Sequence, residues 1–152
     1  FDQRSYGGLV MLVGQFALVV AALFTGAAAY INIAEHPARL LLNDGPLLTQ
    51  WKPSYKRGFA MQSSLAVLGF VLGLGDWYLT GEPLWALGEI VLVANWPFTL
   101  LAIMPINNQL AAISPDSVGA EMRPLMEQWG RRHAVRTALG AASTLIFIWA
   151  MQ

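Results

Sequence analysis

The apolar positions fall in four long blocks, and the polar residues gather at their ends. Residues 9–33 carry no charge. At ~1.5 Å per residue, such a block crosses a hydrocarbon core of ~30 Å. It predicts a first helix over about residues 8–36, stopped by Pro37, whose ring and missing N–H break a helix interior. Arg39-Leu-Leu-Leu42 and Asn43-Asp-Gly-Pro46 then read as a short interfacial helix and a turn. Pro53 suits the first turn of a second helix over about residues 53–75, with Trp51, Lys52 and Tyr55 as anchors where the chain re-enters lipid. A third helix runs over about residues 83–104, kinked at Pro97 and ended by Pro105. The fourth, about residues 119–151, is amphipathic through Arg136 and apolar throughout only from Thr137 to Met151. Two small-residue pairs, Ala22 with Gly26 and Gly69 with Gly73, are spaced to let helices approach closely. The expected architecture is all-α: an integral membrane four-helix bundle forming one domain over residues 1–152.

Composition supports this reading. The chain is 56% hydrophobic and 12% charged, against roughly 25% charged for a soluble domain. Zero formal net charge argues against a nucleic-acid partner. Without cysteine there is no disulfide, thiol nucleophile or cysteine-ligated metal. The first apolar block is too long, and wrongly flanked, for a signal peptide. Four spans put both ends on one side, where Asp2 and Arg4 lead into the first helix. Arg39, Lys52, Lys56, Arg57, Arg123, Arg131, Arg132 and Arg136 fall on the other. The positive-inside rule then puts the first and third loops in the cytoplasm, in what we expect to be a bacterial inner membrane.

The densest chemistry is Trp129-Gly-Arg-Arg-His-Ala-Val-Arg136, at the mouth of the last helix. In helical form Trp129, His133 and Arg136 share one face, and Arg132 lies beside it. Asn32, Glu35 and His36 end the first helix, and Asn107 and Asn108 follow the third, on the same side. We expect these ends to meet in a site. His133 and His36 suit proton transfer, because histidine titrates near neutrality. Arg132 and Arg136 suit an oxyanion. The competing readings are headgroup anchors for the arginines, preferred for Arg123 and Arg131, and caps for the asparagines. Glu121 and Glu127 are expected to pair with nearby arginines. Glu89 reads as a packing contact toward the other side, and Asn95 and Trp96 as residues able to line a cavity. No Walker loop, Rossmann fingerprint, Ser-His-Asp order or HExxH motif is present. No cofactor is therefore expected, although haem or copper held by the two histidines stays open.

Four short pieces, spread over nearly the whole chain, carry a resemblance. They are Asn32 with His36-Pro37, Trp51-x-x-x-Tyr55, Pro105-Ile-Asn-Asn108, and Trp129-x-x-x-His133-x-x-Arg136. In order and spacing the pattern resembles the anthrone oxygenase-like proteins, small four-helix membrane proteins. The resemblance implies an oxygenase-like activity on a hydrophobic aromatic or quinone-like molecule, as fungal members oxidise an anthrone with O2. It also favours a functional Asn107. A base at His133 or His36 would remove an acidic methylene proton, and Arg136 or Asn107 would hold the anionic oxygen. Trp129, Asn32 and Arg132 would contact the substrate. The expected partners are lipid and a hydrophobic small molecule, with a larger membrane complex or a second copy also open. The alternatives are a non-catalytic accessory subunit and a haem- or copper-binding membrane protein.

Overall fold

The computed structural model describes the backbone of residues 3–152 and the side chains of residues 7, 8 and 11–152. The side chains of Asp2 and Arg4 lie outside the described residues. Four antiparallel helical rods follow one another. Rod one comprises α1 (Gln3–Tyr30), a π-helical turn (Ile31–Glu35) and α2 (His36–Leu40). Rod two is α3 (Asp44–Thr80). Rod three comprises α4 (Pro83–Val93), α5 (Asn95–Phe98), a second π-helical turn (Thr99–Ile103) and α6 (Met104–Ala112). Rod four is α7 (Met122–Ala150). Their principal contacts close a ring: α1 on α3 and α7, and α4 on α3 and α7. No strand occurs among the described residues.

Prolines account for where the helix ends depart from expectation. Pro37 and Pro105 do not stop their helices. Each follows a π turn, in which the N–H of His36 reaches back to Ile31 and that of Met104 to Thr99. The widened turn accommodates the donor that the following proline lacks, so both rods continue as α2 and α6. Pro46 falls in the first turn of α3, where an N–H has no helical partner anyway. Helix two therefore starts at Asp44 rather than near Pro53, and only residues 41–43 separate it from α2. Pro53 lies inside α3 on its exposed side. Pro97 lies inside α5, and the helical bonding is interrupted three residues before it, at Ala94, whose backbone stays in the right-handed helical region. Gly81 supplies the left-handed residue that ends α3, and its N–H bonds Trp77 O at 2.8 Å.

Rods one to three, as Met11–Leu40, Asp44–Thr80 and Pro83–Ala112, are long and apolar enough to cross a membrane. Large apolar side chains such as Phe16, Leu101, Leu145 and Trp149 cover the exterior. That surface suits lipid better than water. The buried stripes repeat every three or four residues. On α7 the stripe runs Met122, Met126, Trp129, His133, Arg136, Gly140, Ser143, Phe147.

Two apolar cores result. One, around Trp51, Leu110, Met126 and Trp129, fills the end beside residues 41–43. Trp51 is fully buried there, not an interfacial anchor. The other, around Phe24, Trp85, Leu92 and Phe147, fills the opposite half. That half is held by close approaches at glycines: Leu92 lies against Gly69, Glu89 against Gly73, Phe147 against Gly88, and Phe24 against Gly140. The Gly69 and Gly73 pair thus packs as expected. Ala22 and Gly26 instead face outward, and a Cβ at Gly26 meets nothing within 4 Å.

Gly88→Ala would set its Cβ 2.4 Å from the fully buried Phe147 ring. It should lower stability by about 1–3 kcal/mol. Gly26→Ala, in open space, should leave stability unchanged or raise it by up to ~1 kcal/mol. Thermal unfolding of both variants in one detergent checks the contrast.

Candidate functional site

Between the two cores lies a layer of buried polar side chains, set by the π turns and the buried stripe of α7. Asn32, on the first π turn, donates from Nδ2 to Gly130 O at 3.0 Å. Its Oδ1 accepts from Thr137 Oγ1 at 2.7 Å and meets His133 Nδ1 at 2.8 Å. The amide's orientation follows from the Gly130 bond, so Oδ1 can only accept. Nδ1 of His133 therefore carries a proton, and the lone pair of the neutral ring sits on Nε2.

Trp129 is held on all sides. Its Nε1 donates to Asn107 Oδ1 at 2.9 Å. Its ring stacks on His133 at 4.9 Å between centroids, meets Trp51 edge-on at 6.1 Å and His36 at 5.4 Å, and lies under the Arg39 guanidinium. The face expected to stack on a substrate is thus largely occupied by protein. The bond to Asn107 also orients that amide, leaving Nδ2 buried beside Tyr55 with no well-formed hydrogen bond.

Two adjoining recesses lie in this layer. The outer one is about 20 Å³, and its wall includes Asn107, Trp129, His133, Arg136, Glu35 and Arg39. The inner one is about 30 Å³ and includes Gln62, Asn95, Thr99 and Phe24. Arg136, Phe59 and Gln62 belong to both. Each has room for about one or two waters. Unpartnered donors on these walls are Asn107 Nδ2, Arg136 Nε and Gln62 Nε2. The Arg136 guanidinium lies 5.6 Å from the centre of the Phe24 ring. A cavity with several buried donors and few acceptors is suited to an oxygen that carries negative charge.

Of the residues expected to form a site, His133, Arg136, Asn107 and Trp129 line the outer recess. Asn32 stands behind His133 and orients it. His36 does not line the recess: it packs over Gly130, where an added Cβ would fall 2.2 Å from its Nε2. Arg132 turns away and donates to Ala102 O on the second π turn. Asn95 and Trp96 do line the inner recess.

Two residues of this layer have no expected role in the sequence. Gln62 lies within an apolar block, where a lone amide at membrane depth is itself a signal. Arg39 falls in the short interfacial helix of the first loop, whereas Glu35 is among the helix ends expected to meet. Arg39 is buried, bonds Glu35 and Gln50 at 2.5 Å each, and closes one side of the recess. Ser54 also bonds Glu35. Outside this network a groove of about 520 Å³ runs between rods one and two, sharing Ile31, Glu35, Ser54 and Gly58 with the outer recess.

Arg123 serves neither the site nor Glu121 and Glu127. It bonds Asp44 and the carbonyls of Leu40 and Leu42, tying the first turn to α7. Neither glutamate makes an ion pair among the described residues. Lys52 holds the end of α6 through Ala111 O and Ile113 O at 3.0 and 2.6 Å. No group of three or more metal-ligating side chains occurs among the described residues.

Fold and site together define a class: a helical protein with a membrane-compatible exterior and a small, donor-lined cavity beside an oriented histidine. The sequence profile of the anthrone oxygenase family matches residues 51–146, and the chain belongs to that family. The matched segment includes Tyr55, Gln62, Asn95, Asn107, Trp129, His133 and Arg136, but not Asn32 or His36. The chain is also 28% identical over 145 residues to an anthrone oxygenase of Claviceps purpurea (strain 20.1), covering 86% of this chain and 83% of that relative. No solved structure matches it.

Asn32→Leu removes three bonds and leaves His133 Nδ1, Thr137 Oγ1 and Gly130 O to find other partners. Each group left unpaired should cost about 1–3 kcal/mol. The unfolding midpoint should fall further than for Ser63→Ala, whose hydroxyl bonds only the backbone of its own helix.

Proposed function

We propose that this chain is a membrane-embedded oxygenase acting on a flat, hydrophobic aromatic molecule with an acidic methylene beside a carbonyl-bearing ring, as in an anthrone. The observation that carries the reading is the unpartnered Asn107 Nδ2 and Arg136 Nε lining the same recess as His133. Family membership supports the reaction class.

In this reading His133 Nε2 removes a methylene proton. The charge left on carbon spreads to the carbonyl oxygen, where Arg136 and Asn107 hydrogen-bond to it. The carbanion adds O2, and the peroxide anion takes a proton back from His133 to become a hydroperoxide. Loss of water, with cleavage of the O–O bond and the remaining C–H bond, leaves the second carbonyl. One O2 enters and one water leaves per quinone formed. A three-ring substrate needs more room than the two recesses hold, so binding must widen the layer. The side between α3 and α5, where Trp96 and Leu100 are exposed, opens toward lipid.

Lys56, Arg57 and Arg131 are exposed at the end of the rods beside this layer. They support an orientation with that end in the cytoplasm. A second reading, an accessory subunit of a larger complex, draws on the outward-facing Ala22 and Gly26. It requires purification with a partner, whereas an oxygenase need not travel with one.

Anthrone oxidation in lipid nanodiscs, followed by quinone absorbance and O2 uptake, tests the assignment. His133→Ala should lower kcat by about 10²–10⁴-fold. Arg136→Leu or Asn107→Leu should lower it by about 10²–10³-fold. His36→Ala, outside the recess, should retain most of the rate. Full activity in His133→Ala would remove the base from the scheme.

A further inference from the structure

The inner recess contains polar groups that the scheme at His133 does not use. Asn95 is 1% exposed, and its Nδ2 donates to Leu92 O at 3.0 Å. That bond orients the amide and leaves Oδ1 as a buried acceptor without a partner. Gln62, also 1% exposed, comes from the neighbouring rod with Nε2 unpartnered. Both side chains line the same recess of about 30 Å³. A buried polar atom without a partner costs about 1–3 kcal/mol, and the two lie on different rods. Packing of one helix end does not account for both.

A ligand group that satisfies Asn95 Oδ1 must donate, and the Gln62 amide, placed with Nε2 buried, can donate to that same group in return. A hydroxyl does this with a single oxygen, whereas a carbonyl or an ether can only accept. The space suits one oxygen, and Phe24, Phe59 and Trp96 supply apolar surface around it for a ring. We propose that the inner recess is a subsite for a ring hydroxyl, through which Asn95 and Gln62 select phenolic substrates over unsubstituted ones. The inference rests on the oxygenase reading only for the flat aromatic body that carries the hydroxyl.

The test is equilibrium binding of 2-hydroxyanthraquinone and of anthraquinone to the protein in nanodiscs, in mildly acidic buffer that keeps the phenol protonated. The wild-type chain should bind the hydroxylated probe about tenfold more tightly, the scale of one net hydrogen bond. Asn95→Leu should abolish that preference and leave anthraquinone binding within about twofold. Gln62→Met, on the other rod, should weaken the preference as well, so the test survives if one variant fails to fold. Equal binding of both probes by the wild type, or a preference kept in both variants, would overturn the subsite and leave an internal water as the occupant. Anthrone turnover measured on the same samples separates the two readings. A hydroxyl preference without turnover would sink the oxygenase and leave the subsite standing.

Discussion

The structure depends on one side-chain amide. Asn32 sits on a turn wider than an α-helix and bonds three groups on a different rod: Gly130 O, His133 Nδ1 and Thr137 Oγ1. The arrangement fixes where α7 lies against rod one, and it also fixes which ring nitrogen of His133 can act as a base. Packing and chemistry are thus decided by the same bonds. The second wide turn is tied to α7 in a corresponding way, through Arg132 and Ala102 O. Both rods carry a wide turn beside the polar layer, and both turns are bonded to the same helix.

The stripe on α7 was the most legible feature of the sequence. Trp129, His133 and Arg136 follow helical spacing, and they do share a buried face. The convergence of Asn32 and Asn107 on that face was also readable, because both follow long apolar blocks that must end on the same side. The helix ends were less readable. The rule that proline stops a helix assumes a turn of ordinary width, and the π turns before Pro37 and Pro105 remove that assumption. Once rod one runs on to Leu40, Arg39 becomes a buried residue over Trp129 rather than part of a loop. His36 and Arg132 were read from chemistry alone. Their directions depend on tertiary contacts, with Gly130 for the first and a freed carbonyl for the second.

The site differs from a histidine simply placed at a membrane surface. His133 is buried, oriented from behind by Asn32 and stacked on Trp129, whose Nε1 in turn orients Asn107. His133 and Asn107 are thereby each positioned by a residue to which no chemical role is given. Such preorganisation favours charge that appears only during a reaction, since the donors need not move to meet it. The donors left open here lie in a buried layer between two apolar cores, where their effect on a developing anion is larger than it would be in water.

Close approaches at glycine occur in both halves: Gly130 against His36 and Gly45 against Pro115 O beside the site, and a larger set in the half away from it. There, side chains of neighbouring rods pack directly onto the backbone at Gly69, Gly73, Gly88 and Gly140. The other half is spaced by tryptophans and interrupted by wide turns. The two halves are thus joined differently, by side chains seated on bare backbone in one and by hydrogen-bonded polar side chains in the other. Adding a methyl group at Gly69, Gly73 or Gly88 would therefore push on a neighbouring rod without touching either recess.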